Sequence, residues 1–157
     1  MEPDRFEYSP IIDRPIISWP NNARLAFWLS PNVEYLEYNP APNPRLFQVG
    51  AVDMPPPNMQ RYRTRDYGNR VAFWRMLEVI DKHQIRCTAS LNEAVLEHFP
   101  EIRDAMVARD WDYMSHGIYN NHILTGMSND EERAFYRDII DTLKKQTGKQ
   151  LKRMLGP

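Results

Sequence analysis

Cysteine is nearly absent. Cys87 is the single one in 157 residues, which rules out an internal disulfide and suits a reducing compartment. It lies in the apolar run 85–91, so a buried small residue is expected there rather than a nucleophile. No apolar run approaches the ~20 residues needed to cross a bilayer. The first residues, Met-Glu-Pro-Asp-Arg-Phe-Glu, lack the basic-then-apolar order of a secretory signal. Excess charge of either sign is missing too: the net charge is −1 with both signs mixed along the chain, so there is no basic footprint for nucleic acid. The expectation is a cytoplasmic protein with neither a nucleic-acid nor a membrane partner. The length suits one domain with a respectable core.

Proline is abundant but confined. Eleven of the 13 prolines precede residue 58, and proline removes a backbone donor, so regular structure has little room there. The exception is Arg24-Leu25-Ala26-Phe27-Trp28-Leu29, an apolar run of strand length ending at Ser30-Pro31. Residues 38–60 read as a long irregular loop, of the kind that is functional or disordered. Alternation follows. Residues 70–83 carry an apolar stripe at Val71, Trp74, Leu77 and Ile80, which predicts a helix. The runs 85–91 and 111–115 read as strands, and 92–99 and 101–109 as helical pieces separated at Pro100. Ser128 and Glu131 form a capping box opening a helix with its stripe at Phe135, Ile139 and Leu143, closed by Gly148. Residues 151–155 would be a fourth strand. Such alternation implies a parallel α/β sheet, in a barrel or a doubly wound arrangement. A chain stopping beside an uncovered strand is expected to be a truncated piece.

Three constellations could carry chemistry. Ser115-His116-Gly117-Ile118-Tyr119-Asn120-Asn121-His122 concentrates two imidazoles and two carboxamides just past a strand end, the edge where α/β folds bind ligands. A loop, though not one helix face, could bring His116 and His122 together as metal ligands; ordinary hydrogen-bonding histidines are the alternative. Asn32-Val33-Glu34 follows the first strand, where Glu34 could be a base or metal ligand and Asn32 could only orient or donate; a turn Asn and a solvated Glu are the alternative. Arg61 to Arg70 holds four arginines, two tyrosines and Gly68 before a helix. Guanidinium forks and free helix-start amides could grip a carboxylate or planar amide there, or Arg–Asp pairs could simply pin a loop. His83 and His98 sit at helix ends and are assigned no function.

Arg24 to Leu29 running into Asn32-Val33-Glu34, the segment Arg65 to Val71, Ser115-His116-Gly117 with Asn120, Leu124-Thr125-Gly126-Met127-Ser128 and Leu155-Gly156-Pro157, in this order, resemble the polysaccharide deacetylase (NodB-homology) superfamily. The closer resemblance is to its allantoinase-like branch, from about residue 10 onward. The resemblance implies a distorted (β/α) barrel that hydrolyses non-peptide C–N bonds. Its substrate would be a small amide, a ureide or an N-acetylated sugar. In metal-dependent members, Asp-Asp or Asp-x-Asp after the first strand and a His-x-x-x-His motif bind a zinc-type ion. Water on the metal attacks the carbonyl and a later histidine protonates the leaving amine.

The chain departs from that pattern at named positions. Asn32 and Glu34 stand where the two aspartates would be, His116 matches the first histidine, and Asn120 replaces the second. What carries over is Glu34 as base or ligand, His116 as ligand or acid/base, and Asn120 as a substrate or metal contact. Asn32, Arg65 and Arg70 would bind substrate, the arginines framing a ureido or acyl oxygen. Glu34, His116 and His122 are the candidate metal set, giving a weakly held divalent ion such as Zn²⁺ or none. Residues 1–22 are expected to form an extended arm, with Phe6, Tyr8, Ile11 and Ile12 able to join a second subunit. Residues 23–157 would be the N-terminal half of a barrel domain, since barrels of this kind need about 250 residues. The fold class expected is therefore α/β, an incomplete distorted barrel of the deacetylase type. The isolated chain is expected to be inactive. A non-catalytic derivative that binds a sugar or ureide is the rival reading.

Overall fold

The computed structural model describes residues 7–39, 57, 59–122 and 124–155. The expected loop 38–60 and the first six residues of the expected arm, Phe6 included, lie largely or wholly outside them, as do Gly156 and Pro157. Three parallel strands form one sheet in the order β1 (Asn32–Val33), β2 (Thr88–Leu91) and β3 (Asp112–Ser115). Between β1 and β2 run α1 (Met59–Tyr67), a π-turn (Gly68–Ala72) and α2 (Phe73–Lys82). Helices α3 (Ala94–His98) and α4 (Pro100–Ala108) connect β2 to β3, and α5 (Asn129–Thr147) follows. Every residue of β2 is buried, as expected for a central parallel strand covered on both faces. The core is built from Leu91 of that strand, Leu96, Ile102 and Met106 of α3 and α4, Trp111, and Leu143 of α5. Among the described residues no helix is long and apolar enough to cross a membrane.

The first strand is displaced from its expected place. Leu25, Phe27 and Trp28 are exposed, and pairing begins only at Leu29. The carbonyls of Leu29, Pro31 and Val33 accept from the amides of Thr88, Ser90 and Asn92 at 3.1, 2.9 and 3.1 Å. Pro31 has no N–H to return, so the ladder is one-sided there and the two-way strand shrinks to Asn32–Val33. The fourth strand is reduced to a parallel bridge between Ser115 and Met154.

The helix expected from Arg70 begins earlier, at Met59, and runs through Gly68 by widening into the π-turn. The buried stripe is Phe73, Leu77 and Ile80, at i, i+4 and i+7, while Trp74 faces outward. Cys87 is buried in the core, and burial pushes its thiol up. At α5 the capping box forms as read, and Gly148 closes the helix at φ 74°, a left-handed conformation that glycine adopts without strain. Ser128→Ala is expected to lower stability by about 1 kcal/mol, read as a shift of the urea midpoint at unchanged slope.

Candidate active site

Parallel strands deliver their C-terminal ends to one edge of a sheet. Glu34 follows β1 and His116 follows β3, so two residues distant in sequence meet there. Glu34 Oε2 accepts from Arg65 Nε at 3.1 Å and from Asn120 Nδ2 at 3.0 Å. Its Oε1 stands 3.8 Å from His116 Nε2. The Glu34 and His116 side chains are 18% and 16% exposed, sheltered yet reachable. His116 Nδ1 faces the Leu155 carbonyl at 3.3 Å. A carbonyl only accepts, so in the neutral ring the proton is assigned to Nδ1 and the Nε2 lone pair is turned to Glu34. A cleft of about 350 Å³ opens beside the carboxylate, with Asn32, Arg65 and Asn69 on its polar side and Phe73 and Met76 on its apolar side. That is the small end of ligand-sized pockets.

Of the residues singled out from sequence, Asn32, Glu34, Arg65, His116 and Asn120 are brought to this edge. Arg70 is not. Its Nε pairs with Asp66 one turn back at 2.8 Å, on an exposed part of the helix. The arginine segment lies within α1 and the π-turn rather than before a helix, so from Arg63 onward its backbone amides are not the free anion-binding amides expected. His122 is drawn aside: its Nε2 lies 2.6 Å from Glu37 Oε2, and its ring tilts against Tyr119. The set Glu34, His116 and His122 is therefore not assembled. Among the described residues no group of three His, Cys, Asp or Glu side chains could hold a metal ion. Glu34 and His116 alone fall short of the three protein ligands of a catalytic zinc site, and Oε2 of Glu34 is already taken by two N–H donors. These donors do not fit a tightly held zinc.

Two carboxamides were missed by the sequence reading. Asn69, buried in the π-turn, donates through Nδ2 to the Glu34 carbonyl at 2.9 Å. Asn92, fully buried after β2, accepts the Tyr35 amide on Oδ1 at 3.0 Å and donates to the carbonyls of His116 and Gly117 at 2.6 and 3.1 Å. A polar residue directly past a buried strand was the available signal for Asn92. His98, assigned no function, stacks on Tyr35 with ring centroids 4.4 Å apart.

Residues 55–157 match the family described as polysaccharide deacetylase. No curated protein matches the chain. Among solved structures, a Puue allantoinase is similar at 22% identity and TM-score 0.74, over 97% of this chain and 56% of its own. A probable polysaccharide deacetylase from Pseudomonas aeruginosa PAO1 is similar at 23% identity and TM-score 0.75, over 92% of this chain and 52% of its own. A putative polysaccharide deacetylase from Mycobacterium smegmatis is similar at 19% identity and TM-score 0.63, over 86% and 44%. The chain thus spans about half the length of these structures. Its fold is α/β of the deacetylase type, and its described strands form a three-stranded parallel sheet, an incomplete barrel. By the match over residues 55–157 and the fold it shares with these structures, the chain belongs to the polysaccharide deacetylase family.

Proposed function

We propose that the whole protein hydrolyses a non-peptide C–N bond, in a small amide, a ureide or an N-acetylated sugar. The observation that supports this is the convergence of His116, Asn120 and Arg65 on the sheltered Glu34 carboxylate at the edge of a ligand-sized cleft. Glu34 takes a proton from water as the water oxygen bonds to the substrate carbonyl carbon. Asn120 and Arg65 hold the carboxylate in place and face the developing oxyanion. The C–N bond then breaks, and the proton passes by way of His116 Nε2 to the leaving nitrogen. Asn32 and Asn69 border the space where the substrate lies.

The unit acting here is residues 23–157 joined to the rest of a barrel, with residues 1–22 as an arm. Tyr8, Ile11 and Ile12 of that arm are exposed, which supports a homo-oligomer formed through it. The working compartment is the cytoplasm. The alternative, a binder without turnover, is favoured by the two asparagines, Asn32 and Asn120, at positions where the family pattern has acid and imidazole. The test is to incubate the full-length protein with chitotetraose carrying its N-acetyl groups and with allantoin. Release of acetate or of the opened ureide supports hydrolysis. Binding of either compound by calorimetry without release supports the binder, and neither result would discard both readings.

A further inference from the structure

The Glu34–Tyr35 peptide unit is held at both ends by side-chain amides. Asn69 Nδ2 donates to its carbonyl oxygen and Asn92 Oδ1 accepts from its N–H, at 2.9 and 3.0 Å. Both carboxamides are buried, Asn92 completely. Asn92 also reaches across the strand ends with its own N–H groups to the His116 and Gly117 carbonyls. One side chain thus ties the backbone of the base to the backbone of the imidazole. The backbone supplies a frame on both sides: His116 N donates to Leu91 O at 2.7 Å, Asn92 N to Val33 O at 3.1 Å and Asn120 N to Tyr35 O at 2.8 Å. Within it the Asn92 side chain is the group that bonds the Tyr35 amide and the His116 carbonyl together.

We propose that Asn92 is a positioning residue that sets the separation of Glu34 and His116, with Asn69 fixing the other face of the same peptide. This rests on the hydrolytic reading of the site. A carboxamide suits the task because it offers one acceptor and two donors in a single plane. Leucine has similar bulk and can do neither. Aspartate can accept from Tyr35 but cannot donate to the two carbonyls, and its charge repels them. A shift of about 1 Å between reacting groups can cost roughly 10²-fold in rate, so the effect belongs in kcat rather than KM.

The experiment uses the full-length protein with Asn92→Leu and Asn92→Asp, and Ile102→Val in the α4 core as a control for lost stability. The probes are allantoin and the N-acetylated chitotetraose. In Asn92→Leu, amide exchange at Tyr35 is expected to rise at least about tenfold and the His116 ring resonances to move. The kcat on the hydrolysed probe should fall about 10²-fold with KM nearly unchanged. In Asn92→Asp the Tyr35 amide should stay protected while the His116 resonances move and kcat falls. If Asn92→Leu does not fold, Asn92→Asp decides. Unmoved His116 resonances in a folded Asn92→Asp protein would overturn the proposal, as would an equal kcat loss in Ile102→Val. If the wild type hydrolyses neither probe, the hydrolytic reading falls. Tyr35 exchange and the His116 resonances then still decide whether Asn92 couples the two loops.

Discussion

Glu34→Gln in the full-length protein is expected to lower kcat for C–N hydrolysis by about 10²–10⁴-fold, the usual worth of a positioned general base. Glutamine keeps the shape but cannot accept a proton at neutral pH. Its remaining oxygen can still accept from Arg65 and Asn120, which both meet at Oε2, with the NH₂ turned to the His116 Nε2 side. Folding should therefore suffer little. KM should change less than kcat, because the cleft walls Asn69, Phe73 and Met76 are untouched. Initial rates over a range of substrate concentrations separate the two constants. A loss below about tenfold would remove Glu34 from the role of base. A loss confined to KM would instead make Glu34 a substrate contact.

Much of this edge was legible in the sequence because strand-end loops are short. Once 85–91 and 111–115 are read as strands, Glu34 and His116 have to arrive at the same edge. The helices declared themselves as well, most clearly α5, where the cap, the stripe and the terminal glycine agree. What misled was local along the first helices and long-range elsewhere. The apolar stripe from Val71 set the helix start at Arg70, yet the helical run begins at Met59 and a π-turn carries it past Gly68, and the buried stripe passes through Phe73 rather than Trp74. Arg70 looked like a site residue beside Arg65, but its guanidinium is exposed and pairs with Asp66. The metal set failed because Glu37 captures His122, a contact between two loops that spacing within one loop cannot reveal. Asn69 and Asn92 were missed because their partners are backbone groups of other segments, which leave no pattern in the chain.

The same turn that carries Asn92 carries a second buried polar residue, and its expected effect is on stability. Glu93 is 2% exposed, and neither carboxyl oxygen completes a hydrogen bond among the described residues. Desolvation pushes its pKa up to about 8, a rise that Asp138 reinforces and the nearby Ser115 hydroxyl only partly offsets. The folded state therefore keeps the Glu93 proton over a range in which the unfolded chain has already released it. Its contribution is fully present below the unfolded value of 4.5 and is lost as pH rises toward about 8. Within that window each pH unit removes about 1.4 kcal/mol, and above it the loss levels off. Glu93→Gln is a neutral isostere with no proton to release. At pH 5 the variant and the wild type should lie within about 1 kcal/mol of each other, since both carry an uncharged group there. By pH 9 the variant should be the more stable by several kcal/mol. Urea unfolding of both proteins at the two pH values gives the comparison directly, because histidines and other titrating groups are common to both and cancel in the difference. A gap that stays constant with pH would show that Glu93 does not ionise within the fold. A gap that opens as expected would mean that the Glu93 amide, bonded to the Gly117 carbonyl at 3.2 Å, anchors the His116 loop to a residue whose burial is tolerated only while it is uncharged.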